Sequence, residues 1–176
     1  MSEIVIVIGT NRNESVSGQI AIYYQQILTE MGQHATILDL KDLPGDFIST
    51  ALYDNAGKNA EFNPFRQLML KADKYVFIVP EYNGSFPGVL KAFIDGLQYP
   101  DSFKNKKGAL VGLSSGNQGA GLALSHLTDI LNYCGTHVLA LKVKLAFIDK
   151  HFNDGTLQNK LYRELLEMQA RDLINF

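Results

Sequence analysis

Short apolar runs alternate along this chain with stretches of helical periodicity. Ile4 to Ile8, Ala35 to Leu40, Tyr75 to Val79, Ala109 to Ser114 and Val138 to Val143 are rich in β-branched, leucine and aromatic residues and predict strands. The segments between them predict helices: one ending at Met31, then Phe65 to Ala72, Val89 to Leu97, Leu122 to Tyr133 and a closing helix over Leu157 to Asp172. Nearly unbroken apolar strands, each followed by a helix, predict an α/β fold with a parallel sheet buried on both faces. In the first helix, Ile20, Ala21, Tyr24, Ile27, Leu28 and Met31 form one stripe of 3.6-residue period, to be packed on the sheet, and Gly32 supplies its stop.

One segment breaks the rhythm. Residues 41–63 are punctuated by Pro44-Gly45, Asn55, Gly57 and Asn63-Pro64, and predict a long loop with one short helical turn, serving as a lid or a subunit contact. Neither repeats nor an interdomain linker interrupt the rest, and 176 residues suit one domain over 1–176. The formal net charge of −2 gives no whole-chain attraction to nucleic acid or an anionic membrane. No apolar run is long enough for membrane insertion, the Met1-Ser2-Glu3 start lacks a signal segment, and the single cysteine, Cys134, excludes an internal disulfide. A cytoplasmic protein is expected.

Chemistry concentrates where strands give way to helices. After the first strand, Gly9-Thr10-Asn11-Arg12-Asn13-Glu14-Ser15-Val16-Ser17 gathers hydroxyls, amides and one guanidinium at a helix N-terminus. Free N–H groups and the positive helix end attract a phosphate there, and Arg12 beside that end is unfavourable unless an anion joins it. The plainer alternative is that Ser15 or Ser17 caps the helix while Arg12 pairs with Glu14. The loop is neither a Walker loop nor a Gly-x-Gly-x-x-Gly turn. After the third strand, Pro80-Glu81-Tyr82-Asn83-Gly84-Ser85-Phe86-Pro87-Gly88 combines stiffening prolines, a permissive Gly84 and the aromatic faces of Tyr82 and Phe86, which suits a flat heterocycle. A third loop, Ser114-Ser115-Gly116-Asn117-Gln118-Gly119-Ala120-Gly121, follows the fourth strand and should meet the other two at one sheet edge.

The run Pro80-Glu81-Tyr82-Asn83-Gly84-Ser85-Phe86-Pro87-Gly88-Val89-Leu90-Lys91-Ala92-Phe93-Ile94-Asp95 resembles the flavin-contacting signature of the NADPH-dependent FMN reductase family. The first loop is similar to that family's Gly-Ser-x-Arg-x-x-Ser-x-Asn pattern, with Gly9, Arg12 and Ser15 matching and Thr10 and Ser17 as hydrogen-bonding replacements. The third is similar to its Ser-x-Gly-Gly-x-x-Gly-Gly stretch, with Asn117 and Ala120 in place of glycines, and Asn153 to Leu157 resembles the turn before its last helix. The resemblance implies a flavodoxin-like, three-layer, doubly wound parallel five-stranded sheet in the order 2-1-3-4-5, with FMN across the carboxyl ends of strands one, three and four. It further implies that Thr10, Arg12, Ser15 and Ser17 hold the FMN phosphate. Pro80, Glu81, Tyr82, Asn83, Gly84 and Ser85 would lie along the isoalloxazine, with Glu81 turned away from the ring, and Ser115, Gly116 and Gly119 would close the site from the third loop.

The implied activity is hydride transfer from NADPH or NADH to bound FMN and on to a small-molecule acceptor: a flavin, quinone, azo compound or metal oxyanion. No side chain is required as nucleophile or acid. A homodimer or homotetramer is implied, with contacts around Phe93 and Leu97. Gln98-Tyr99-Pro100-Asp101-Ser102-Phe103 departs from the family's tryptophan-containing segment, so acceptor choice does not transfer. An FMN-binding electron carrier or redox sensor is the alternative, and a module that keeps the fold without the cofactor a lesser one. His34, His126, His137 and His151 lack metal-ligand spacing, no Gly-x-Ser-x-Gly elbow is present, and Cys134 reads as a small core residue.

Overall fold

The structure is a computed structural model describing residues 3–176; Met1 and Ser2, where the absence of a signal segment is partly read, lie outside them. Strands β1 (Ile4–Ile8), β2 (Ala35–Asp39), β3 (Lys74–Pro80) and β4 (Lys107–Leu113) pair in parallel. With β5 (His137–Val138) they run in the order β2-β1-β3-β4-β5, and β6 (Val143–Leu145) continues the edge beside β4. Helices α1 (Val16–Glu30), α2 (Phe47–Thr50), α3 (Asn63–Lys71), α4 (Gly88–Gly96), α5 (Gly121–Tyr133), α6 (Ile148–His151) and α7 (Lys160–Asn175) complete the chain, with a small antiparallel pair, β7 (Phe152–Asn153) and β8 (Thr156–Leu157), before α7.

Successive strand residues point to opposite faces, and both faces are buried, which accounts for the unbroken apolar runs. Ile4, Ile6, Ile8, Val76, Ile78, Ala109 and Val111 pack beneath α1 and α7 with Ile20, Tyr24, Leu28, Leu166, Ala170 and Leu173. Val5, Val7, Tyr75, Phe77, Val79 and Leu110 face a second layer that includes Met69, Leu90, Phe93, Leu124 and Leu127. At the end of α1 the Gly32 N–H donates to Thr29 O (2.9 Å) and Gln33 N–H to Leu28 O (2.9 Å), a Schellman closure with Gly32 at φ 75°.

Residues 41–63 differ from the expected loop. They hold α2 and, together with Leu40 just after β2, two 3-10 turns (Leu40–Asp42 and Tyr53–Asn55), and they build core. Phe47 and Phe62 stack with centroids 5.5 Å apart, and Phe62 meets Phe93 edge-on at 6.0 Å. Phe47, Ala51, Leu52 and Phe62 are buried, so this stretch walls the second layer instead of forming a free lid. Pro64 falls in the first turn of α3, where its missing N–H costs nothing, so the helix begins before the predicted Phe65. Phe93 and Leu97 are likewise buried in this chain's own core; the exposed face of α4 carries Lys91 and Asp95 instead.

The predicted fifth strand, Val138 to Val143, is two short ones. Pairing with β4 lapses between Gly108 and Val111, and the Gln169 side chain of α7 fills the gap. Its amide nitrogen donates to Leu110 O (2.9 Å) and Leu141 O (2.8 Å), and its amide oxygen accepts from Tyr24 OH (3.3 Å). Lys74 Nζ, whose pKa burial pulls down, donates to Leu173 O and Ile174 O and closes the C-terminus of α7.

Gln169→Leu is expected to lower the unfolding free energy by about 2–4 kcal/mol, because one buried and one half-buried carbonyl lose their donor. Phe62→Ala is expected to cost about 3–5 kcal/mol by opening a cavity among three rings. Urea denaturation followed by circular dichroism measures both.

Candidate functional site

Because β1, β3 and β4 run in parallel, their carboxyl ends bring three loops to one edge. A cleft of about 380 Å3 opens there. It is lined by Thr10, Arg12, Ser15 and Ser17 from the first loop, Pro80, Glu81 and Tyr82 from the second, and Ser115 from the third.

Ser15 caps α1: its Oγ accepts from Gly18 N–H at 3.0 Å and keeps its own proton free to donate. The pairing of Arg12 with Glu14 does not occur; among the described residues the Arg12 guanidinium has no carboxylate partner. The Ser17 side chain is 1% exposed and makes no hydrogen bond among the described residues. The N–H groups of Val16 and Ser17, in the first turn of α1, have no acceptor there either. Unspent donors, a lone cation and a positive helix end therefore converge on one wall, a donor set matched to a phosphate dianion and thus to FMN.

The second loop is a tight reversal. Tyr82 N–H donates to Ser85 O (2.8 Å) and Ser85 N–H to Tyr82 O (3.1 Å), enclosing Asn83 at φ 52° and Gly84 at φ 77°. Positive φ at both central residues marks a type I′ turn, for which Asn-Gly is the preferred pair. Gly84 therefore serves backbone conformation, and a Cβ built on it would meet nothing within 4 Å. The turn is tied on two sides: Tyr82 OH hydrogen-bonds Thr10 Oγ1 at 2.8 Å, and Ser85 Oγ lies 2.9 Å from His126 Nδ1 on α5. The amides of Asn83 and Gly84 make no internal hydrogen bond among the described residues. Glu81 is among the residues lining the cleft, and its N–H extends the sheet to Leu113 O (3.1 Å).

The third loop divides. Ser115 lines the cleft, whereas the Gly116 carbonyl accepts from Phe147 N–H (2.9 Å) and Ser114 Oγ (3.0 Å). Gly119, at φ 54°, lies against β6, where an added Cβ would fall 2.8 Å from the Lys144 carbonyl carbon. Asn83, Gly84, Ser85, Gly116 and Gly119 thus lie outside the cleft lining, as framework or rim. Conversely, Asn13, Glu14, Val16, Leu113, Ser114, Ile148 and Asp149 line it and are absent from the predicted set. Ile148 and Asp149 arrive because Ser114 N–H donates to Leu145 O (3.2 Å) and Ile148 N–H to Ser114 O (3.1 Å), which carries the chain from β6 across the edge. The one signal for them is the end of the fifth strand, which the sequence pattern places too early.

Comparison with known proteins agrees with this geometry. Residues 2–148 match the family described as NADPH-dependent FMN reductase. Over 134 residues the chain is 31% identical to a 2-hydroxy-1,4-benzoquinone reductase of Burkholderia sp, covering 74% of this chain and 70% of that protein. Over 113 residues it is 34% identical to an NAD(P)H-dependent FMN reductase of Pseudomonas aeruginosa, covering 62% and 61% respectively, so that match spans less than two thirds of the relative's length. Among solved structures, the flavoenzyme NAD(P)H:(acceptor) oxidoreductase FerB of Paracoccus denitrificans superposes with a TM-score of 0.83 at 22% identity, over 99% of this chain and 96% of that one. The last likeness establishes the flavodoxin-like fold. A family match over most of the chain, in keeping with a donor-rich first loop and an Asn-Gly turn at the same sheet edge, makes this protein an oxidoreductase of the NADPH-dependent FMN reductase family, with FMN and NAD(P)H as its cofactors.

Proposed function

We propose that this protein is an NAD(P)H-dependent flavin or quinone reductase that binds FMN in the cleft at the carboxyl ends of β1, β3 and β4. The observation that carries the reading is the surplus of unspent donors around Arg12 and Ser17 beside the Asn83-Gly84 turn. Thr10, Arg12, Ser15 and Ser17 hold the phosphate, and the first-turn N–H groups of α1 add to them. Pro80, Tyr82 and the Asn83-Gly84 amides orient the ring system, with Ser115, Leu113 and Ile148 forming the facing walls. When bound, FMN supplies the redox chemistry, taking a hydride from NADPH or NADH and passing electrons to a small-molecule acceptor such as a flavin, quinone, azo compound or metal oxyanion.

The chain's own contribution is positional. The Thr10–Tyr82 hydrogen bond couples the phosphate loop to the ring loop, so anchoring one end of the cofactor fixes the height of the other. Glu81 and Asp149 are both among the residues lining the cleft, and negative side chains near it disfavour build-up of negative charge there. A homo-oligomer belongs to the same reading, supported by Tyr99 and Tyr133, which are exposed beside an apolar groove of about 620 Å3 between α4 and α5. A monomer by light scattering at working concentration counts against it.

Anaerobic absorption spectra with FMN, before and after NADPH and then NADH, test the activity. Bleaching of the bound flavin band supports a reductase; a bound band that persists with both donors yet bleaches with dithionite points to an electron carrier. Arg12→Ala is expected to weaken FMN binding by about 1.5–3 kcal/mol, the range for hydrogen bonds to a charged group, as measured by flavin fluorescence titration. Tyr82→Phe removes one neutral hydrogen bond and is expected to cost about 0.5–1.5 kcal/mol of FMN affinity in the same titration.

A further inference from the structure

A second cavity, also of about 380 Å3, lies on the far side of the phosphate loop, between α1 and β2, and shares Arg12, Glu14 and Ser15 with the cleft. Its walls are unlike those of a solvated groove. Ile22 lies off the buried stripe of α1 and is 52% exposed, and it lines the cavity together with Ile37 of the edge strand β2. Ile37 also packs against the core, but packing within this chain does not explain the exposed Ile22 beside it, and the two together suit one face of a flat ring. Gln19 adds an amide able to meet polar ring edges.

At the carboxyl end of β2 stands Asp39. Its Oδ2 lies 2.9 Å from Lys41 Nζ and its Oδ1 accepts from Lys41 N–H at 3.0 Å, leaving lone pairs on both oxygens. An acidic side chain at the end of the second strand, beside a phosphate-binding helix start, is the arrangement that accepts hydrogen bonds from ribose hydroxyls in α/β nucleotide sites. With Asp42 also lining the cavity, Lys41 is outnumbered, so a second phosphate on that ribose would meet net negative charge.

We propose that the cavity between α1 and β2 holds the adenosine 5′-phosphate half of a dinucleotide with a free ribose 2′-hydroxyl. The base lies against Ile22 and Ile37, the ribose reaches Asp39, and the phosphate meets Arg12, the one cation common to both cavities. The chemistry is shared by two sources: flavin adenine dinucleotide, with its flavin in the cleft, and NADH bound beside FMN. The inference rests on the reading of the cleft as an FMN site.

The test titrates FMN and FAD by fluorescence quenching, and ADP-ribose and 2′-phospho-ADP-ribose by calorimetry into FMN-loaded protein. FAD binding at least about tenfold tighter than FMN assigns the flavin dinucleotide, and ADP-ribose binding to the FMN-loaded protein assigns the pyridine dinucleotide. In either case Ile22→Glu, which places a charge against the base, is expected to weaken the adenylate ligand by about tenfold or more while FMN affinity changes less than about twofold. Circular dichroism checks that this surface variant is folded. For the pyridine source, the 2′-phosphate is expected to weaken binding, and Asp39→Asn, which still caps the turn after β2, to narrow that difference. FAD no tighter than FMN together with no heat from ADP-ribose overturns the inference and leaves the FMN reading intact, as does equal weakening of FMN and FAD by Ile22→Glu. Absence of FMN binding overturns the reading of the cleft and this inference with it.

Discussion

Both faces of the β1-β3-β4 sheet are covered by apolar side chains, and every other feature of the molecule follows from that burial. A strand with no access to water must satisfy its N–H and C=O groups on its neighbours, so β1, β3 and β4 pair along their full lengths, from Ile4 beside Lys74 to Pro80 beside Leu113. Parallel pairing in turn requires each connection to cross a face of the sheet, which supplies the helices that do the covering. It also delivers the start of every crossover to the same edge. The cleft is therefore a product of strand direction before it is a product of any side chain.

What the side chains add at that edge is an imbalance. Ser15 spends its oxygen on capping α1, yet its proton, the Ser17 hydroxyl, the first-turn amides and Arg12 are left without acceptors among the described residues. These donors stay open to the cleft, where a ligand rich in acceptor oxygens can meet them. The Tyr82–Thr10 hydrogen bond and the Ser85–His126 contact hold the Asn83-Gly84 turn between the first loop and α5, so the turn is set in space by its neighbours as well as by its own positive φ angles. The same first loop faces the second cavity, where an exposed isoleucine and Asp39 extend the surface away from the cleft.

Where the sheet fails to continue, a side chain takes its place. The gap between β5 and β6 leaves the carbonyls of Leu110 and Leu141 to Gln169, itself buried under α7 and held by Tyr24 of α1. Two helices, strand β4 and the connection between β5 and β6 are joined at one amide. The break also displaces β6 so that Ile148 and Asp149 reach the cleft, which links a core polar residue to the shape of the site.

The pattern of residues along the chain determined the class of fold and the three strand-to-helix loops that meet at one sheet edge, because those follow from local periodicity, turn chemistry and strand burial; the strand order came only from the resemblance to a known family. Arg12, Ser15 and the Asn83-Gly84 turn were legible for the same reason: a cap, a cation at a helix start and a type I′ pair are short-range signals. The tertiary structure alone decided the rest. Phe62 is met by Phe93 and Gly96 of α4 and stacks in turn on Phe47, and where the fifth strand divides Gln169, far along the chain, supplies what a strand partner would have. Gly119, with a motif role in sequence, instead answers to the backbone of Lys144, while Ile148 and Asp149 carry no motif and line the cleft. These outcomes depend on contacts between residues distant in sequence, and neither helical nor strand periodicity encodes which distant surface will arrive.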